Sequence, residues 1–315
     1  MHLYNMAAQI EISHQTKVTL SGNDPFLIIC TPQELIPLRP HLPFDEETIA
    51  DCLHYDEHFR FDSYDHYDFI SWLYFWLDDT KLKTCEMNLY ISLRFLVLVI
   101  PEASGSQFFE ALAEDLLKKI DALPPGSDNM NKAYYSIFDL FLTDFSRTLE
   151  IVEDKLYGIE TQLNHGVDKR HFGMITYMKD MAYRIKKQIR PLLYIGDQFI
   201  VNENAFIQKE NIRYFKNLDI RINKLYDFAA SLQEFANQTL YVYDSRITIQ
   251  TNEVINKLTI LTIFFGPMTI VTGIYGMNFD FMPELDWMYG YPLALGMMAI
   301  ICLIIYIVLK RKKWL

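Results

Sequence analysis

Apolar and polar positions change rhythm along the chain, and each change predicts a different kind of structure. Over the first 130 residues, short apolar runs are cut by breakers. Phe26-Leu27-Ile28-Ile29-Cys30 stops at Thr31-Pro32, the stretch 67–77 is rich in aromatics, and the aliphatic stretch 89–100 stops at Pro101. The first reads as a buried strand, the second as a strand, and the third as a strand or strand pair. Residues 45–53, with acids in the first turn, and 106–123 carry helical spacing; the second ends at Pro124-Pro125-Gly126-Ser127. From residue 131 the strand signals stop. Residues 133–164 and 167–200 read as two long helices parted near His165-Gly166. A third begins between Glu203 and Gln208 and continues without Pro or Gly toward residue 258. Along it Leu218, Ile222, Leu225, Ala229, Leu232, Ala236, Thr239, Tyr243 and Ile247 alternate by four and three, a coiled-coil-like seam that predicts self-association.

The rhythm then disappears. Residues 258–277 and 287–309 contain no Asp, Glu, Lys, Arg or His. At about 1.5 Å rise per residue, the first spans roughly 30 Å, the thickness of a bilayer's hydrocarbon core. The loop between them carries Asp280, Glu284 and Asp286, and Lys310-Arg311-Lys312-Lys313 follows the second. Basic flanks stay on the cytoplasmic side, so the C-terminus is expected inside and the acidic loop outside. Two spans return the chain to its starting side. The N-terminal region, which lacks the basic and apolar parts of a signal peptide, is therefore expected in the cytoplasm. The expected divisions are an α/β domain (1–130), a long-helix stalk (131–257), a first span (258–277), a loop (278–286), a second span (287–309) and a basic tail (310–315).

Charge and cysteine usage narrow the partners. With 29 basic against 40 acidic residues, the formal net charge is −11. A nucleic acid or anionic lipid surface is not expected to bind the soluble part, whereas divalent cations are compatible with it. Cys30, Cys52, Cys85 and Cys302 are scattered and form neither a disulfide framework nor a zinc spacing. No glycine-rich phosphate loop, nucleophile elbow or catalytic Cys-His spacing is present, so an enzyme is not expected, nor a pump driven by ATP.

Within the first span Thr259, Thr262, Gly266, Thr269 and Gly273 recur at three and four residues, which places them on one helix face. By spacing alone such a face suits close helix packing in a membrane first, with the lining of a water-filled pore as the alternative. Pro267 lies in mid-span, where it kinks or loosens a helix.

The span ends in Tyr275-Gly276-Met277-Asn278-Phe279, followed by Met282-Pro283-Glu284-Leu285 and Trp287. Thr251-Asn252-Glu253-Val254 precedes it, and Tyr289-Gly290-Tyr291-Pro292 opens the second span. These residues resemble the CorA family of magnesium channels, whose signature is Gly-Met-Asn closing the first of two C-terminal membrane helices. The resemblance implies an α+β membrane protein. Its cytoplasmic α/β domain leads into a long stalk helix that continues into the first membrane helix, and five copies form a homopentameric funnel. It also implies a passive, potential-driven influx of at least partly hydrated Mg²⁺. Gly276, Met277 and Asn278 become the selectivity element, and Asn252, Ile255, Leu258, Thr262, Gly266, Thr269 and Gly273 the pore lining. Asp280, Glu284 and Asp286 become acids that attract cations. The chain departs from the family at Gly266, where a bulky apolar residue often stands, so the width of a second constriction does not follow.

Mg²⁺ holds its waters in an octahedron, and a neutral amide such as Asn278 can accept hydrogen bonds from that shell without binding as tightly as a carboxylate. Family members close when cytoplasmic Mg²⁺ binds acids between subunits; by position Asp78, Asp79, Asp219 and Asp227 are the candidates here. Mg²⁺ is thus both substrate and expected regulatory ligand, with no organic cofactor. The alternatives are a relative preferring zinc, cobalt or nickel, and a membrane-anchored scaffold or sensor that uses the seam only for assembly. His54-Tyr55-Asp56-Glu57-His58, with Asp62, Asp65, His66 and Asp68 nearby, reads as a solvated acidic surface or a weak metal site.

Overall fold

The structure is a computed structural model. It describes residues 1–8, 10–11, 24–54, 59–101, 106–122, 129–278, 280, 282–283, 287–312 and 314. The elements are β1 (His2–Asn5), β2 (Ile10–Glu11), β3 (Phe26–Cys30), α1 (Pro32–Leu35), a 3-10 turn (Ile36–His41), α2 (Glu46–Leu53), β4 (Arg60–Ser63), β5 (Asp68–Asp78), β6 (Lys81–Ile91), β7 (Phe95–Val99), α3 (Ser106–Asp121), α4 (Asn129–His165), α5 (Lys169–Ile189), α6 (Leu192–Val201), α7 (Ile212–Tyr275) and α8 (Gly290–Arg311). The chain divides into two units, Met1–Leu240 and Tyr241–Leu315, with the boundary inside α7.

Among the described residues, the first unit is built on a seven-stranded sheet ordered β2-β1-β3-β7-β6-β5-β4, in which only the β3–β7 pair is parallel. The aliphatic run 89–100 is a strand pair: β6 and β7 turn at Ser92, whose backbone N–H donates to the Phe95 carbonyl at 2.9 Å. Successive strand residues face opposite sides, so each of the long strands β5 and β6 serves two layers. On one face Phe69 and Tyr90 pack with Phe44, Ile49 and Cys52 from the α1–α2 segment. On the other, Trp72 lies 5.2 Å from both Phe138 and Phe141 of α4, with its ring tilted against each. The turn into α1 is set locally: Thr31 caps it and Glu34 reaches back to the Thr31 N–H, with Pro32 at the first helical position.

Two readings from the sequence need correction. The stretch 167–200 is two helices, because Pro191 cannot donate the hydrogen bond that would carry α5 into α6. More consequential is the seam on α7. Leu218, Ile222, Leu225, Ala229, Leu232, Ala236 and Thr239 are buried inside this chain's own first unit. Phe215 packs on Phe199 and Tyr134, Arg221 pairs with Asp139 of α4, and Lys186 of α5 donates to Gln233. From Leu218 to Thr239 the seam is satisfied within the subunit, so its spacing is not an argument for self-association. A four-three alternation marks a buried helix face, whichever helix lies opposite.

The α6–α7 connection is held by asparagines. Asn202 adopts φ 47°, and its side chain donates to the Ile207 carbonyl and accepts from the Ile207 N–H. Asn131 holds Phe206 and Gln208 in the same two-way manner.

Candidate functional site

The second unit carries the two apolar helices. In α7 and α8 the most hydropathic 18-residue windows are 0% and 11% buried, so these are not core helices of a soluble domain. Ile255, Leu258, Leu261, Phe265, Ile270 and Ile274 stand exposed along α7, and Ile300, Leu303 and Ile304 along α8. Trp287 and Tyr289 meet at 5.8 Å before α8, and Lys310 and Arg311 close it. Aromatic residues at one end and basic residues at the other mark the two interfaces of a bilayer-spanning helix.

The helix is continuous through Pro267 and ends at Tyr275. Its C-terminus is tightened by the Gly276 N–H, which donates to the carbonyls of Thr272 at 2.9 Å and Gly273 at 3.2 Å, and by Met277 donating to Ile274. A Cβ on Gly276 would lie 3.2 Å from the Thr272 carbonyl oxygen, which explains glycine here. Met277 and Asn278 follow the last turn and are exposed.

The polar stripe resolves in an informative way. A groove of about 600 Å³ separates α7 from the start of α8; Val271, Thr272, Tyr275 and Gly276 line one side, Tyr291 and Ala294 the other. At about 100° per residue, Val271 and Tyr275 lie roughly 150–170° round the helix from the centre of the stripe of Thr262, Gly266, Thr269 and Gly273, and Thr272 lies about 90° from it. Within 4 Å of the Cβ position on Gly266 or Gly273 there is no atom of another element among the described residues. The stripe therefore is not the face that α7 turns toward α8. Asn252, Ile255, Leu258, Thr262 and Thr269 are likewise exposed in the single chain.

The hydroxyls on this helix share one geometry. Thr259, Thr262 and Thr269 each donate to the carbonyl four residues earlier, at 2.8, 2.9 and 2.9 Å. Their protons point back along the helix, which leaves oxygen lone pairs outward. A face of outward acceptors suits a cation that arrives in its own water shell. No sequence pattern reports a hydroxyl's orientation, and this feature was missed at that level. The aromatic groove of Tyr275, Trp287 and Tyr291 was missed too, although aromatics at span ends could have signalled it.

Of the loop acids, Asp280 is described and exposed; Glu284 and Asp286 lie outside the described residues. Asp78 and Asp79 sit at the β5–β6 hairpin tip, where Lys155 donates to the Asp79 carbonyl and Tyr177 to the Thr80 carbonyl. Asp219 lies in α7 beside α6, and burial with the nearby Asp197 charge raises its carboxyl above the ordinary value. Asp227 is exposed on α7. The chain does not bring these four together, and among the described residues no three metal-ligating side chains converge. His54 closes α2, while Asp56, Glu57 and His58 lie outside the described residues.

The sequence profile of the family described as CorA-like Mg²⁺ transporter protein matches residues 27–311. The chain belongs to that family. The cobalt/magnesium transport protein CorA of Thermotoga maritima is 32% identical over 181 residues, 58% of this chain and 52% of the relative. That match spans about half the relative's length. A putative metal ion transporter of Bacillus subtilis is 27% identical over 281 residues, 88% of this chain and 85% of the relative. The complete CorA magnesium transporter structure from Methanocaldococcus jannaschii superposes with TM-score 0.84 at 19% identity, covering 100% of this chain and 98% of that one. At that identity the likeness is one of fold. It extends over the α/β unit, the long helix and the apolar hairpin of this CorA-family chain.

Proposed function

We propose that five copies of this chain form a membrane channel that passes Mg²⁺ inward, with both termini in the cytoplasm. The observation that carries the reading is the uncovered stripe from Asn252 to Gly273, with its outward hydroxyl lone pairs, leading to Gly276-Met277-Asn278. Asn278 repeated about an axis offers a ring of neutral acceptors to the water shell of the ion, and Thr269 and Thr262 continue them along the path. Ile255 and Leu258 form an apolar constriction that closes by dewetting. Asp280, Glu284 and Asp286 raise the local cation concentration outside. The driving force is the membrane potential, about 4.6 kcal/mol for a divalent ion per 100 mV. Asp78, Asp79, Asp219 and Asp227, spread over one chain, act between neighbouring subunits as sensors of cytoplasmic Mg²⁺. The segments 1–130, 131–257, 258–277, 278–286, 287–309 and 310–315 serve as sensing domain, stalk, pore helix, mouth, outer helix and anchor. The Thermotoga relative's name supports Co²⁺ as a second cargo.

The test is Mg²⁺ uptake into proteoliposomes with an inside-negative potential, wild type against Asn278→Ala. Uptake that the substitution abolishes supports the reading. Uptake of Zn²⁺ without Mg²⁺ overturns the substrate, and no divalent flux with or without internal Mg²⁺ overturns the channel.

A further inference from the structure

The groove between α7 and the start of α8 is graded in polarity along its length. On α7 it is walled by Val271, Thr272, Tyr275 and Gly276; on α8 it runs from Tyr291 past Ala294 and Leu295 to Met298, with Trp287 at the Tyr291 end. Tyr291 and Met298 are seven residues apart, so the groove reaches about 10 Å from the aromatic end toward the middle of the span. That end offers donors. The Tyr275 and Tyr291 hydroxyls and the Trp287 indole N–H have no hydrogen-bond partner among the described residues. Farther in, the Thr272 hydroxyl spends its proton on the carbonyls of Met268 at 3.0 Å and Thr269 at 3.1 Å. The remaining walls there, Val271, Ala294, Leu295 and Met298, are apolar. Ala294 is the floor at 8% exposure, while Leu295 stands 45% exposed beside it.

Two occupants compete for a groove in a pair of spanning helices: a helix of a second copy, or a lipid. A helix with its side chains is about 10–12 Å across, so a 10 Å length of it fills roughly 800–1,100 Å³. The groove holds about 600 Å³. A spanning helix also packs over roughly 30 Å, whereas this groove is about a third as long and stays within one leaflet. A phospholipid chain is thinner and carries the matching gradient, acceptor oxygens at the phosphate and esters and hydrocarbon beyond. Interfacial aromatics sit at headgroup level, which sets Tyr275, Trp287 and Tyr291 beside those oxygens. The groove is also continuous with the uncovered apolar surface of α8, where Ile300, Leu303 and Ile304 stand exposed to the bilayer. In the proposed pentamer the stripe faces the axis and Val271 and Tyr275 face away from it. That placement rests on the channel reading; the binding rests on the spanning helices alone.

We infer that the groove holds one phospholipid, with an acyl chain along Val271, Ala294, Leu295 and Met298 and its phosphate and ester oxygens accepting from Tyr275, Trp287 and Tyr291. Gly276 lies in the same wall, directly before Met277, so the lipid braces the turn that closes α7 against the start of α8.

The experiment is native mass spectrometry of the full chain in detergent, with phosphatidylcholine or a diacylglycerol of the same chains added. Phosphatidylcholine stays bound, one per chain, and the diacylglycerol, which lacks the phosphate, is retained roughly tenfold less. Leu295→Trp fills the groove from its exposed wall and lowers retention roughly tenfold, whereas Leu293→Trp, about 160° round α8 from it, does not. Tyr291→Phe keeps the ring, removes one donor and weakens binding about fivefold. Asn278→Ala, which tests the channel, leaves retention unchanged. Assembly mass and far-ultraviolet circular dichroism report that each variant folds and assembles like the parent. The inference is overturned if the parent retains no phospholipid, if the diacylglycerol is retained equally, if folded Leu295→Trp binds like the parent, or if Leu293→Trp loses as much. A Leu295→Trp protein that changes the number of chains in the assembly and not its lipid retention makes the groove a contact between copies, and overturns it too.

Discussion

Gly196 of α6 lies against Asp219 of α7 so closely that a Cβ on Gly196 would stand 2.6 Å from Asp219 Oδ1 and 3.4 Å from its Cα. The Asp219 Cα is in ordinary contact at that distance, but the carboxylate has to swing away from its Asn223 partner at 3.1 Å. Gly196→Ala is therefore expected to cost about 1 kcal/mol, the size of one lost hydrogen bond. That is a fall of roughly 2–4 °C in melting temperature for a domain of this size. Gly158→Ala, with no atom within 4 Å of the Cβ position, serves as the control and leaves the melting temperature unchanged or raised.

The aromatic junction of α4, α6 and α7 is the place where one truncation does most damage. Phe199 is fully buried and meets Phe61, Tyr134, Phe138 and Phe215 at 4.9–6.4 Å. Phe199→Ala should cost about 3–5 kcal/mol in thermal or denaturant unfolding. A loss below 1 kcal/mol would mean that the ring is not the joint between these helices.

Asp68 and Asp139 should pull stability in opposite directions with pH. Burial raises the Asp68 carboxyl, against hydrogen bonds from Ser63 and Asn204, and the Glu203 charge adds to the rise. Its contribution is full below the unfolded value of about 3.9 and is lost as pH rises through the folded value. Asp68→Asn, neutral throughout and still able to accept from Asn204, should melt higher than wild type at pH 7, with the gap closing near pH 4. A gap that is constant with pH would refute this.

Asp139 behaves in the reverse sense. Burial pushes its carboxyl up, but Lys119 and Arg221 outweigh that and hold it below the ordinary value. Its contribution is present above the unfolded value and falls away as pH drops through the folded one. Arg221→Met should lose roughly 1 kcal/mol at pH 7 for this part-exposed pair, and less in acid.

The outward lone pairs of the threonine stripe separate two substitutions of the same size. Thr262→Val removes an acceptor on the proposed path, whereas Thr272→Val removes one in the groove facing α8. At about 1 kcal/mol per lost hydrogen bond, uptake should fall roughly fivefold for Thr262→Val and stay near wild type for Thr272→Val. Equal effects would remove the distinction between the two faces.

The parts of this molecule that could be read from its sequence are those in which local chemistry dictates geometry. A five-residue apolar run before Thr31-Pro32 can be little other than a strand meeting a capped helix. Twenty uncharged residues closed by Gly276-Met277-Asn278 have few homes besides a membrane. The seam from Leu218 to Thr239 was legible as a buried face but not as to its partner, because apolar spacing is the same whether a helix packs on its own chain or on another. The depth of the groove behind Tyr291 was invisible, since it needs α8 to return beside α7 at one particular rotation. The same holds for the threonine protons, which depend on carbonyl positions and not on residue order.

Pro267 interrupts none of α7's helical course, yet it carries no amide proton for the Ile263 carbonyl, and its neighbour Gly266 has no side chain to brace the spot. The long helix consequently lacks one backbone hydrogen bond and one side-chain brace between Thr262 and Thr269, the place in the span where a bend meets least resistance. On the proposed path such a bend would move Thr269 and Gly273 relative to Ile255 and Leu258.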